Sequence, residues 1–134
     1  MKIKTLAATL CLGLALTGCA RLQPVNNINN TTPAALSEYK FSTHDVEQAI
    51  VRGVTLKGWT IEESTPGKIV ARINVRGKHM AKVDIDYNQS GYSINYNDSN
   101  NLLFNGSAIH RNYNKWVVLL DRTIQSELVS LKDI

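Results

Sequence analysis

Between Trp59 and Asn97 the chain alternates apolar and polar residues at a period of two, the spacing of strands with one buried and one wet face. Trp59 and Ile61 open the pattern, and Thr65-Pro66-Gly67 breaks it with turn chemistry. Ile69, Ala71, Ile73 and Val75 then point one way, with Arg72, Asn74 and Arg76 opposite, up to a second turn at Gly77. Ala81, Val83, Ile85 and Tyr87 form the next apolar row against Lys82, Asp84 and Asp86. After Gln89-Ser90-Gly91, Tyr92, Ile94 and Tyr96 alternate with Ser93, Asn95 and Asn97. Three hairpins in succession predict a four-stranded antiparallel meander.

The flanking segments change period. Val46, Ala49, Ile50, Gly53 and Val54 follow helical spacing. Ser42 or Thr43 suits its N-cap, Asp45 and Glu47 suit its positive end, and Gly58 suits its close. Gly53 on the apolar face predicts a close approach to the sheet. A second helix is expected from about Ala108 to Leu131, capped by Ser107. Its apolar stripe is Ile109, Tyr113, Trp116, Leu120, Ile124, Leu128 and Leu131. Both helices need the same apolar sheet face, so the expected fold is α+β, a two-layer sandwich of order α-β-β-β-β-α.

The N-terminus follows neither pattern. Lys2 and Lys4 precede a charge-free apolar run from Leu6 to Leu16. The run is too short to span a bilayer and fits the centre of an export signal. Leu16-Thr17-Gly18-Cys19 closes it and resembles the lipobox of bacterial lipoproteins, in which the cysteine thiol receives a diacylglyceryl group and becomes the new N-terminus. That resemblance implies cleavage after residue 18 and acyl chains, palmitate among them, on Cys19. Cys11 leaves with the signal, so no internal disulfide is available afterwards. Ala20 follows the cysteine where Asp would favour retention at the inner membrane. The expected location is therefore the outer membrane, periplasmic face, with the inner membrane as alternative.

Cleavage also changes the charge. The whole chain carries +4, and loss of Lys2 and Lys4 leaves 13 basic against 11 acidic residues, a net charge of +2. Neither a basic stripe nor a zinc or RNA-binding motif is evident, which argues against a nucleic-acid partner. Residues 19–38 are rich in Asn, Thr and Pro and poor in large apolar residues. They are expected to form a flexible tether with an r.m.s. span of about 25 Å. The expected division is residues 1–18 signal, 19–38 lipidated Cys19 and tether, and 39–134 one α+β domain.

Candidate chemistry is sparse. Tyr96-Asn97-Asp98-Ser99-Asn100-Asn101-Leu102, followed by His110-Arg111-Asn112-Tyr113-Asn114-Lys115-Trp116, resembles small bacterial lipoproteins of uncharacterised function over about residues 45–130. The resemblance implies a short α+β domain and an envelope location, with no activity attached. Asp98, Ser99, His110 and Arg111 are the candidate binding residues. They fit either a small ligand pocket between loop and helix or a clamp that satisfies local backbone groups, and the clamp is favoured. Asp84 and Asp86 are expected to pair with Lys82, Arg72 and Arg76 across strands. His44, His79 and His110 lack metal spacing, and no nucleophile elbow occurs. No cofactor or metal is expected. The reading is an envelope lipoprotein held to the membrane by its lipid, a non-catalytic binding or scaffold module for an envelope protein or cell-wall partner. The alternative is an enzyme or small-ligand carrier acting on envelope material.

Overall fold

The structure, a computed structural model, describes residues 21–31, 36 and 38–132. It is α+β, with helices α1 (Thr43–Leu56) and α2 (Arg111–Lys132) against one face of an antiparallel sheet. The expected four-stranded meander is matched in part: β3 (Thr60–Thr65), β4 (Lys68–Val75), β5 (His79–Asn88) and β6 (Gly91–Asn100) run in succession. Three further strands depart from the expected α-β-β-β-β-α order: β1 (Leu22–Pro24), β2 (Ile28–Thr31) and β7 (Ala108–His110). The main sheet therefore has five strands in the order β2-β6-β5-β4-β3, and β1 pairs with β7 in a separate two-stranded ribbon.

The alternation read from the sequence becomes the core. Ile69, Ala71, Ala81, Val83, Ile85 and Ile94 are all fully buried under the helices. Burying each Ile or Val contributes about 1.5–3 kcal/mol. Ser42 caps α1 through a reciprocal pair: its Oγ accepts from the Asp45 amide at 3.0 Å, and Asp45 Oδ2 accepts from the Ser42 amide at 2.9 Å. Those bonds from Ser42 hold the Asp45 carboxyl below its ordinary pKa. Gly58, at φ +78°, reverses the chain after the helix, and the Trp59 amide donates back to Val54 O at 2.9 Å.

Four expectations change. Gly53 approaches α2 rather than the sheet: a Cβ there would meet Ile124 Cγ1 at 2.7 Å and the Ile124 backbone N at 3.2 Å. Residues 108–110, expected inside the second helix, form β7, because their backbone pairs with β1. Trp116 is only partly buried, and Val117 occupies the fully buried position.

The fourth change concerns the segment expected to be a tether. Leu22–Pro24 pairs with β7, and Ile28 and Thr31 pair with Ile94 and Tyr92 of β6. The cause is side-chain hydrogen bonding that composition does not reveal. Asn114 of α2 is 9% exposed and is fully used. Its Oδ1 accepts from the Asn26 amide at 2.9 Å, and its Nδ2 donates to Pro24 O at 2.9 Å and to Gln23 Oε1 at 3.2 Å. Asn27 Oδ1 accepts from the Tyr96 amide at 3.0 Å, standing in for a strand carbonyl. Val25 and Ile28 pack on the core between these bonds.

Candidate functional site

The four candidate binding residues occupy different surroundings. Asp98 stands opposite Lys82 in the β5–β6 register, on the sheet face away from the helices, and its Oδ1 accepts from the Ser99 amide at 2.8 Å. Ser99 stands opposite the buried Ala81, and its Oγ shares a 2.7 Å hydrogen bond with the Tyr96 hydroxyl. His110 Nδ1 accepts from the Asn112 amide at 3.1 Å, while the His110 amide donates to Leu102 O at 2.8 Å. The Arg111 amide donates to Arg21 O at 2.7 Å, and its side chain is exposed. These bonds fasten the end of β6, the start of α2 and the N-terminal segment to one another.

Between β6 and β7 the chain is strained. Asn101 and Leu103 both have φ +58°, a region that costs a bulky side chain energy. Leu103 is 56% exposed and Phe104 40% exposed, although Phe104 stacks on Tyr96 with ring centroids 4.2 Å apart. Tyr96 also meets Tyr113 edge-on at 5.7 Å. The Tyr113 hydroxyl is buried with no hydrogen-bond partner among the described residues, and burial raises its pKa. Tyr92, also buried, donates to Asp121 Oδ1 at 2.6 Å, and its pKa is likewise raised, by desolvation first and then by that carboxylate.

The outer sheet face carries paired charges. Glu62, at an irregularity in β3, accepts from Lys82 at 2.8 Å and Arg72 at 3.2 Å. The Lys82 bond, aided by Arg72, lowers the Glu62 pKa. Asp84 lies 3.9 Å from Lys68 and accepts from Asn97 Nδ2 at 2.7 Å. The ion pairing expected for Lys82 and Arg72 thus goes to Glu62 instead of Asp84 and Asp86, because both cations reach the carboxylate on the neighbouring edge strand β3.

An open groove of about 770 Å³ runs along the first half of α2. Gln23, Asn26 and Asn114 lie along it, with Arg111, Lys115 one turn on and Arg122 two turns further on the same helix face. Of the four candidates only Arg111 lines it. Lys115 and Arg122 were missed, although their spacing from Arg111 puts all three on one helical face and was readable. Among the described residues no three His, Cys, Asp or Glu side chains gather as a metal set, and no helix is long and apolar enough to cross a membrane. Cys19 and the signal segment lie outside the described residues. No known protein family, curated protein or solved structure matches the chain.

Proposed function

We propose that the protein is an envelope lipoprotein, anchored through Cys19, that binds a protein or cell-wall partner without catalysis. The observation that supports this most is the sheet itself. Its helix layer covers one face, no described helix packs on the other, and the edge strand β3 has five of its six residues exposed. An exposed edge of this kind presents backbone N–H and C=O groups to which an extended segment can add as a further strand. The lipid holds the module at the periplasmic face of the outer membrane. Two or three acyl chains, at about 0.8 kcal/mol per buried methylene, make that attachment effectively permanent.

Two experiments test the reading. Cys19→Ser is expected to abolish lipid labelling and leave the precursor uncleaved, and unchanged labelling would refute the anchor. A photocrosslinking residue at Ser64 on β3 is expected to give a discrete adduct in intact cells, with none from Lys57 at the end of α1. Equal yields from the two positions would refute the strand edge as the binding surface.

A further inference from the structure

Ordered strands begin very close to the anchor. Arg21 O accepts from the Arg111 amide, and Leu22 stands opposite His110. Only Ala20 separates Arg21 from Cys19, a reach of at most about 7 Å between Cα atoms whatever the path. A lipid on Cys19 therefore brings the start of α2 to the bilayer surface.

The face brought there is basic. Arg111, Lys115 and Arg122 are exposed, and none of them forms an ion pair among the described residues. The acids of α2 in that region are engaged elsewhere. Asp121 accepts from Tyr92 and Gln125, and Glu127 reaches Arg52 of α1 at 4.0 Å. Between the cations sits Leu119, 37% exposed, and Leu22 beside the anchor is 39% exposed. Cations interleaved with exposed apolar side chains are the composition of a surface that rests in a lipid headgroup layer.

We infer that this groove face docks on anionic phospholipid headgroups, so that the domain lies against the membrane with the open sheet face and β3 free for the partner. The inference rests on the reading of Cys19 as the lipid attachment site. It also removes the need for a long tether: the anchor and the docked face act together, and the strand pairing of residues 22–31 fixes the domain's orientation.

The test is flotation of the whole processed chain, without lipid, on phosphatidylcholine vesicles with and without about one third phosphatidylglycerol. Each cation at an anionic surface strengthens partitioning about five-fold. The anionic vesicles should therefore retain far more protein, and K115E/R122E should lower that retention about 25-fold or more. K68E/K132E changes net charge equally at residues that do not line the groove, Lys68 beside Asp84 on the outer sheet face and Lys132 about 15 Å beyond Arg122 along α2, and should leave retention within about two-fold because the effect fades beyond a Debye length. Equal retention on both vesicles, or an equal loss with K68E/K132E, would overturn the inference. So would binding to soluble polyglutamate in the absence of binding to vesicles, which would assign the face to an acidic protein. Flotation is read without lipid, so its failure counts against the groove, whereas a native Cys19 found unmodified by mass spectrometry counts against the anchor.

Discussion

The meander β3–β6 and the N-terminal segment 22–31 belong to the same fold but are held by opposite means. The meander is fixed by apolar rows pressed under two helices, so its register follows from side-chain alternation. Segment 22–31 places Val25 and Ile28 on the core and otherwise depends on named polar partners, chiefly Asn114 and Asn27. Hydrophobic burial is non-directional and writes itself into the sequence as a period. A hydrogen bond between residues 88 apart leaves no local pattern. The first kind of attachment is robust to geometry, and the second fails as a unit when one amide is lost.

Core truncation should have the largest effect. Ile85→Ala is expected to cost about 2–5 kcal/mol in urea unfolding and to loosen the whole molecule. Asn114→Ala should cost about 2–3 kcal/mol, since it leaves Pro24 O and the Asn26 amide without partners. The contrast between the regions is sharpest here: amide exchange should accelerate in residues 22–31 of the Asn114 variant and stay slow in β5. Uniform acceleration would merge the two regions into one.

Tyr92→Phe removes a charge-assisted bond to Asp121 and should cost about 2 kcal/mol at neutral pH. Its pH dependence has a fixed sign. The folded-state pKa of Tyr92 is raised above its ordinary value of 10.0, so the phenol's contribution is complete below that pH and is lost as pH rises beyond it. Tyr113 is shifted the same way, so Tyr92→Phe should lessen the alkaline fall in stability, and Tyr92→Phe/Tyr113→Phe should lessen it further.

Gly53→Ala should cost about 1–2 kcal/mol. The clash with Ile124 outweighs the gain of about 1 kcal/mol in helix propensity. A stabilised variant would show that α1 and α2 can part without loss. Tyr113→Phe should have the smallest effect, between neutral and about 1 kcal/mol stabilising, because it deletes a buried hydroxyl with no partner among the described residues. A clear loss of stability in thermal melts would give that hydroxyl a role.

What could be read from the sequence follows the same division. The period-two rows from Ile69 to Tyr96, the cap at Ser42 and the apolar stripe through Leu120, Ile124 and Leu128 carry the α+β sandwich. The sequence pattern did not show that Asn and Pro around residue 24 would form strands, nor that Ala108–His110 would be paired before the helix. Both outcomes depend on distant partners. The groove was half visible: Arg111 was singled out for its place at the helix start, whereas Lys115 and Arg122 needed the helical face and the location of the N-terminal strand to acquire meaning. Asp98 and Ser99, adjacent in β6, face opposite sides of the sheet because strand side chains alternate, and the irregularity at Asn97 decides which of them takes the outer face.

Hydrogen exchange at Val25 and Asn26 tests the account most directly, because their amides donate to Ser107 O and Asn114 Oδ1 in a segment whose composition reads as coil. Exchange slowed at least about a thousand-fold relative to an unstructured peptide is the expected result, since the bonds open only with the β1–β7 ribbon. Exchange at the rate of an open chain would mean that the domain hangs on a loose leash and that nothing holds the basic face toward the bilayer.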